Sequence, residues 1–464
     1  MKVLLLSPPY IAEYMRNGRC DYVSWSHTQW YPIWLAYCGA LLEKQGHRVE
    51  LLDAPAEGLS YKDTFDKVRN FSPELLVVYS STKSQQSDIS FSERLKEKIG
   101  SYVVFVGPYI SNNAEMLLRH SAKIDAAVQG EFEYPVLELA NGVEKNKIKN
   151  LVWKENGEIV FNGNRPLLSG EELNKLPFVT AFYREHLNLK NYKVPSELYP
   201  FVDLFTGRGC FWGRCAFCLW PSSFIKGGQY NTRSIDNVIE ELKFVKREMP
   251  YVKEVFFQDD SLPKGRAIEL SRAILDNGLN IIWGCYVRGD FDYDTLRLMQ
   301  ESGCRALHVG YESKSNLILE NICKGLTWEE MTEFTMNAHK AGLRIHGDFL
   351  FGLPGETEDT IKETISWAVM LNPGTAQFLS INLYPDTGVY KYLLQNGHIR
   401  EGKANYPELS SAKIDNLIKM AYRRFYIRPA FFKKTITHPG EYIFSQGQTI
   451  ARMVFNIFCR KSKN

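Results

Sequence analysis

The chain has 464 residues, 44% hydrophobic and 23% charged, with a net charge of +3. That is an ordinary globular composition, long enough for two or three domains, and it excludes both a disordered chain and a small disulfide scaffold. No apolar run reaches membrane-span length, and the run from Val3 to Leu6 stops at Ser7-Pro8-Pro9, short of a signal-peptide core.

The first 140 residues alternate strand and helix patterns. Lys2–Ser7 is a short apolar strand, and Tyr31–Gln45 is apolar at helical spacing up to Gly46. Val49–Leu52, Leu75–Tyr79 and Val103–Val106 are unbroken apolar runs, each followed by turn residues. This pattern predicts a doubly wound, Rossmann-like parallel sheet over 1–142, with its ligands beyond the carboxyl ends of the strands. Residues 143–198 read as a connector holding one hairpin, signalled by Asn156-Gly157 between Leu151–Trp153 and Ile159–Phe161.

After the strand-like run Phe201 to Phe205 comes Gly207-Arg-Gly-Cys210-Phe-Trp-Gly-Arg-Cys215-Ala-Phe-Cys218. Three of the nine cysteines fall in this one stretch, spaced CxxxxCxxC, and Gly207, Gly209 and Gly213 let backbone wrap closely around a bound group. Thiolates this close can face one soft metal centre. Three of them leave a four-iron cluster one iron short of a full protein ligand set, and that iron is open to a small molecule. A structural zinc site needs a fourth Cys or His nearby, yet the next are Cys285 and His308. Cys285, Cys304 and Cys323 are scattered and read as buried small hydrophobes.

From 199 to 404 strands and helices alternate again, as in an α/β barrel. Polar groups gather just past predicted strands: Gln258 and Asp260, Arg288, Glu312, and Gly352-Leu-Pro354-Gly-Glu356. His346 lies inside the strand-like run Leu343–Phe351. Residues 405–464 form a basic, aromatic helical region. Residues 419–464 hold ten Lys or Arg against one acid, Glu441, a local +9 that leaves −6 on the rest of the chain. A basic tail on an acidic body points to an anionic partner such as a membrane surface, and Met453 to Phe458 before Arg460-Lys461 suits a helix lying on lipid.

The cysteine loop resembles that of radical S-adenosylmethionine (SAM) enzymes, in the group with an N-terminal cobalamin-type domain. That family's motif is CxxxCxxC with an aromatic before the last cysteine. Phe217 supplies the aromatic, while Phe211 to Arg214 put one extra residue between the first two cysteines. Trp30 to Ala36, Gly107 to Ile110 and Gly130 to Glu133 resemble stretches of the cobalamin domain.

The resemblance implies a doubly wound domain followed by a partial, TIM-like radical SAM barrel. Cys210, Cys215 and Cys218 would hold a [4Fe–4S] cluster, with Phe217, Gly352 and Pro354 against the adenine of SAM. Gln258 and Asp260 would meet its amino group, Arg288 its carboxylate and Glu312 its ribose or amino group. His346 would hydrogen-bond substrate or cofactor, or pack inward against a neighbour. Ser80, Ser81, Thr82, Gly107, Pro108, Gly130 and Glu131 would surround the corrinoid. With no DxHxxG motif, no histidine is offered as a lower cobalt ligand.

The implied reaction is reductive cleavage of SAM to a deoxyadenosyl radical, followed by C-methylation, ring formation or rearrangement of an unactivated carbon. The nearest groups act on hopanoid lipids and on the ring of bacteriochlorophyll, so the expected substrate is a lipid or other hydrophobic natural product. Expected partners are an electron donor such as ferredoxin or flavodoxin and a peripheral membrane surface, with no nucleic acid. Thiols that must stay reduced suit the cytoplasm. A methylthiotransferase would need a second cysteine trio near the N-terminus, where only Cys20 and Cys38 occur. A non-catalytic iron–sulfur or zinc regulator on the same scaffold is the alternative from a different class.

Overall fold

The computed structural model describes residues 1–16, 21–24, 28–224 and 227–437. The chain divides into two compact units, one of residues 1–193, 202–207 and 219–250, the other of 194–201, 208–218 and 251 onward.

The first unit is built on a seven-stranded sheet: β1 (Lys2–Ser7), β2 (Arg48–Asp53), β3 (Leu75–Tyr79), β4 (Tyr102–Val106), β5 (Ala126–Val128), β6 (Leu151–Glu155) and β7 (Glu158–Phe161). Their order is β2-β1-β3-β4-β5-β6-β7. The first five strands run parallel, with Leu5 opposite both Leu51 and Val77. Helices Ile33–Lys44, Tyr61–Phe71, Gln85–Ile99 and Ile110–His120 make the crossovers. β1 from Val3 to Leu6 and β3 are continuous apolar runs because both faces are covered. Leu4, Leu76, Val78, Val103 and Phe105 pack with Val68, Phe91, Leu95 and Leu117. Each such side chain contributes about 1.5–3 kcal/mol on burial. Strand order reverses between β1 and β3, the crevice where doubly wound sheets bind ligands.

The hairpin forms as the Asn-Gly signal predicts, with Asn156 and Gly157 both at positive φ. Its place differs from the expectation. Instead of lying apart from the sheet, β6 extends it antiparallel to β5, pairing Val128 with Leu151, and β7 adds antiparallel to β6, pairing Trp153 with Val160. Pairing satisfies backbone groups that β5 would otherwise expose at a sheet edge. The compact units accordingly do not divide at 142 and 199.

The second unit carries parallel strands β8 (Glu254–Phe257), β9 (Trp283–Val287), β10 (Cys304–Gly310), β11 (Arg344–Phe351) and β12 (Thr375–Ser380), adjacent in that order. Helices Lys264–Asp276, Tyr293–Glu301, Trp328–Lys340 and Glu358–Leu371 connect them. Side chains alternate along β11: Ile345, Phe349 and Phe351 are buried, while Arg344, His346, Asp348 and Leu350 stay partly exposed. Phe349 packs on Tyr311, Trp367 and Phe378. One face of β11 is thus buried, while the side chains on its other face stay partly exposed. Helix Ser411–Tyr426 belongs to this unit. Its tyrosines serve β12: the Tyr426 hydroxyl donates to Ala376 O (2.7 Å) and accepts from Ala376 N, and Tyr422 accepts from Phe378 N. The proposed lipid-surface helix of the last twenty residues lies outside the described residues. Among the described residues no helix is long and apolar enough to cross a membrane.

Candidate functional site

The cysteine loop sits in the second unit, and Cys210, Cys215 and Cys218 are all free thiols of intermediate exposure. Two attachments pin it. Ala216 N donates to Ile322 O (2.9 Å) and the Trp212 indole N–H to Cys323 O (2.9 Å). On its other side Ala216 O accepts from Val389 N (2.9 Å), and Gly388 has only contact distance to spare, an added Cβ standing 3.3 Å from that of Ala216.

Burial pushes the Cys215 thiol up, opposed by the charges of Lys324 and Arg288. Thiolates around a single zinc ion, about 2.3 Å from the metal, stand roughly 4 Å apart. Among the described residues the only group of three or more His, Cys, Asp and Glu ligand atoms mutually within 4.8 Å is that of Glu43, Glu185 and His186, so the three cysteine sulfurs do not all lie that close to one another. Three thiols on a glycine-bearing loop with no fourth donor drawn in fit a larger, cuboidal group with one open corner.

Two of the polar residues singled out in the barrel, Arg288 and Glu312, lie close enough to act on the Cys215 thiol. Gln258 and Asp260 follow β8 and are nearly buried. Arg288 follows β9, stacks its guanidinium 4.4 Å above the Trp212 ring, and donates to Lys324 O (2.5 Å). Glu312 follows β10 at a φ of 60°, a strained backbone for a side chain of this size. Its carboxylate binds Lys324 Nζ at 3.1 Å, both side chains being buried. Gly310 leaves that carboxylate its room, since an added Cβ would stand 2.4 Å from it and the side chain would have to shift. Lys324 and Trp212 carried no role in the sequence reading; they meet Glu312 and Arg288 only through tertiary closure.

The loop after β11 is shaped by Glu356, whose Oε2 accepts from Gly352 N (2.5 Å) and Leu353 N (3.0 Å). Tyr406 donates to Gly352 O and Asn321 to Pro354 O, fixing the loop from Gly352 to Pro354. Burial raises the Glu356 carboxyl from the ordinary 4.5 to about 8, against the pull of those two N–H groups. Since the folded chain then binds more protons than the unfolded one between those values, stability falls as pH rises through that window. Glu356→Gln, nearly isosteric and chargeless, is expected to flatten this decline in denaturant titrations between pH 5 and pH 8.5. Glu254, also pushed up by burial, leaves a residual slope of the same sign.

His346 lies a layer deeper, in register with His308 and Thr375 rather than with the strand ends. Its Nδ1 meets Thr375 Oγ1 (2.7 Å), its Nε2 is 3.4 Å from Asp348, and its ring lies 4.6 Å from that of His308. His308 is held by buried Glu197 at 2.7 Å.

In the first unit, Ser80 to Thr82, Gly107 and Pro108, and Gly130 and Glu131 follow β3, β4 and β5. Gly107, at φ 111°, is so close to Ser80 O that an added Cβ would lie 2.7 Å away. Ser111 links the next two loops, donating to Gly107 O and accepting from Gly130 N. Glu131 is the exception, since its carboxylate accepts from Leu168 N (2.7 Å) and ties down chain. Beneath the serines lies a pair that sequence reasoning missed. Arg16 Nη2 meets Asp88 Oδ1 at 2.9 Å with both side chains fully buried. Ser80 and Ser84 donate to Asp88 Oδ2, and Arg16 reaches Ser7, Ser84 and Pro8 O. Tyr14 joins Ser81 to Asp21. Hydroxyls and close backbone at the switch point fit a large cofactor held by shape, and among the described residues these loops contain no histidine.

A family model for the radical SAM superfamily matches residues 204–368, and one for the B12 binding domain matches residues 20–140. An uncharacterized methyltransferase of Pyrococcus horikoshii is 30% identical over 94% of this chain and 95% of its own. The cytidylyl-2-hydroxyethylphosphonate methyltransferase of Streptomyces wedmorensis is 24% identical over 87% of this chain and 84% of its own. The radical SAM methyltransferase TsrM of Kitasatospora setae, solved with cobalamin and a [4Fe–4S] cluster, superposes with a TM-score of 0.65 at 20% identity, covering 86% of this chain and 79% of that one. On this evidence the chain belongs to the radical SAM enzymes that carry an N-terminal B12-binding domain.

Proposed function

We propose that the protein is a cobalamin-dependent radical SAM methyltransferase acting on an unactivated carbon. The observation that carries the reading is the three-thiol loop, pinned among charged residues that follow β9 and β10, in a chain similar along nearly its whole length to a methyltransferase. In this reading Cys210, Cys215 and Cys218 hold the [4Fe–4S] cluster. Arg288 binds the carboxylate of SAM, Gln258 and Asp260 its amino group, and Glu312 its ribose or amino group. A zwitterion needs such an acid and base side by side. The backbone of Phe217 and of Gly352 to Pro354 forms the adenine wall.

The loops at Ser80 to Thr82, Gly107, Pro108, Gly130 and Glu131 hold cobalamin, with Glu131 bracing its loop from behind. When bound, the cluster supplies the electron that cleaves SAM, and cobalamin supplies the methyl group. The chain's own residues orient the substrate and exclude water. On the His346 face of the sheet, Tyr286, His346, Asp348 and Gln377 are partly exposed, which supports a substrate presenting a polar group there. A natural product with a hydrophobic body and one polar end satisfies both this face and the basic tail. A small electron donor such as ferredoxin or flavodoxin, a cytoplasmic setting and a lipid-facing C-terminus complete the proposal.

Anaerobically reconstituted protein, given reductant, cobalamin and methyl-labelled SAM, is expected to form both 5′-deoxyadenosine and S-adenosylhomocysteine. Ring formation would give the first alone. Neither product with an intact reduced cluster would make the chain a non-catalytic regulator.

A further inference from the structure

The four residues between Cys210 and Cys215 include one more than the family spacing, and Trp212 lies among them. Its indole is partly exposed but held on several sides. The ring faces the Arg288 guanidinium at 4.4 Å and the Arg214 guanidinium at 5.1 Å, while its N–H donates to Cys323 O at 2.9 Å. Gly325, at φ 67°, leaves it room: an added Cβ would stand 2.1 Å from ring carbon Cζ2. The stretch Ile322 to Gly325 therefore touches the cysteine loop at Ala216, at the indole N–H and at the ring, and it also accepts the Arg288 hydrogen bond at Lys324 O. Arg288 is 7% exposed. A guanidinium held over an aromatic ring keeps N–H groups for oxygen acceptors.

We infer that Trp212 is a positioning residue for SAM: it fixes Arg288 in the plane that meets the SAM carboxylate and so couples the cluster loop to cosubstrate binding. The longer cysteine spacing is the room this indole needs. The inference rests on the assignment of Arg288 proposed above.

The test compares W212F with W212L and W212M in the full chain, reconstituted without oxygen. All three lose the indole N–H bond, and only W212F keeps an aromatic face. SAM affinity is read by equilibrium dialysis, and occupancy of the cluster's open iron by the SAM-induced change in its low-temperature EPR spectrum. At equal iron and sulfide content, W212L and W212M are expected to weaken SAM binding about 3- to 30-fold, and W212F by less than about 3-fold. In an R288A background the difference between W212F and W212L should vanish. Two non-aromatic variants are used so that failure of one to hold iron leaves the comparison intact. Equal penalties for W212F and the non-aromatic pair would overturn the inference, as would an undiminished difference without Arg288. A wild-type cluster that ignores SAM would overturn the functional reading itself. Wild-type affinity in R288A alone would remove Arg288, and Trp212 with it, and leave that reading standing.

Discussion

Alanine at Cys210, Cys215 or Cys218 is expected to abolish SAM cleavage and leave the chain folded. In the proposed site each thiol is one of three protein ligands, so the loss should exceed the roughly 10- to 100-fold cost of removing a residue that merely supports a ligand. Iron and sulfide content after reconstitution should fall in parallel. The controls are C285A and C304A, whose thiols are buried in strands β9 and β10, and C323A, whose carbonyl alone serves the loop. These three should keep the cluster. Loss of iron in the controls as great as in the loop variants would mean that the spacing carries no special chemistry.

The second large effect concerns the buried pair beneath the serine loop. Asp88→Leu is expected to destabilise the first unit by about 3–5 kcal/mol, the usual cost of stranding one member of a buried ion pair. Arg16→Met should cost less, because the two partners fail differently. Burial already outweighs the Arg16 charge and lifts the Asp88 carboxyl to about 6, so a lone Asp88 can take up a proton and become neutral. A guanidinium cannot shed its charge. Urea titration of both variants at pH 6 would show the asymmetry. Equal losses would mean that packing, rather than charge, sets the cost. Because Ser80 and Ser84 donate to the same carboxylate, Asp88→Leu should also lose cobalamin on gel filtration sooner than Arg16→Met.

These residues also mark how far a sequence can be read. Lys2–Ser7 and Leu75–Tyr79 are strands to the residue, because strands buried on both faces must be apolar runs that end in turns. Asn156-Gly157 specified its turn, since few pairs accept two positive φ values. That the hairpin continues the sheet depended on β5, three residues too short to show a period. Cysteine spacing exposed the metal loop because chain connectivity alone brings those thiols together.

Arg16 and Asp88 stand 72 positions apart, and neither belongs to a local pattern. Trp212 carries no signal in its own stretch, because Gly325, more than a hundred residues on, makes the room for it. Glu131 was legible as a loop residue but not in its orientation, which the backbone at Leu168 decides.

The most direct test is the Mössbauer spectrum of protein reconstituted with iron-57, recorded before and after SAM is added. If three sulfurs hold three corners of a cube, about a quarter of the iron signal should shift on its own when SAM arrives. Iron that responds as one uniform population, or a single zinc ion bound in its place, would contradict the account.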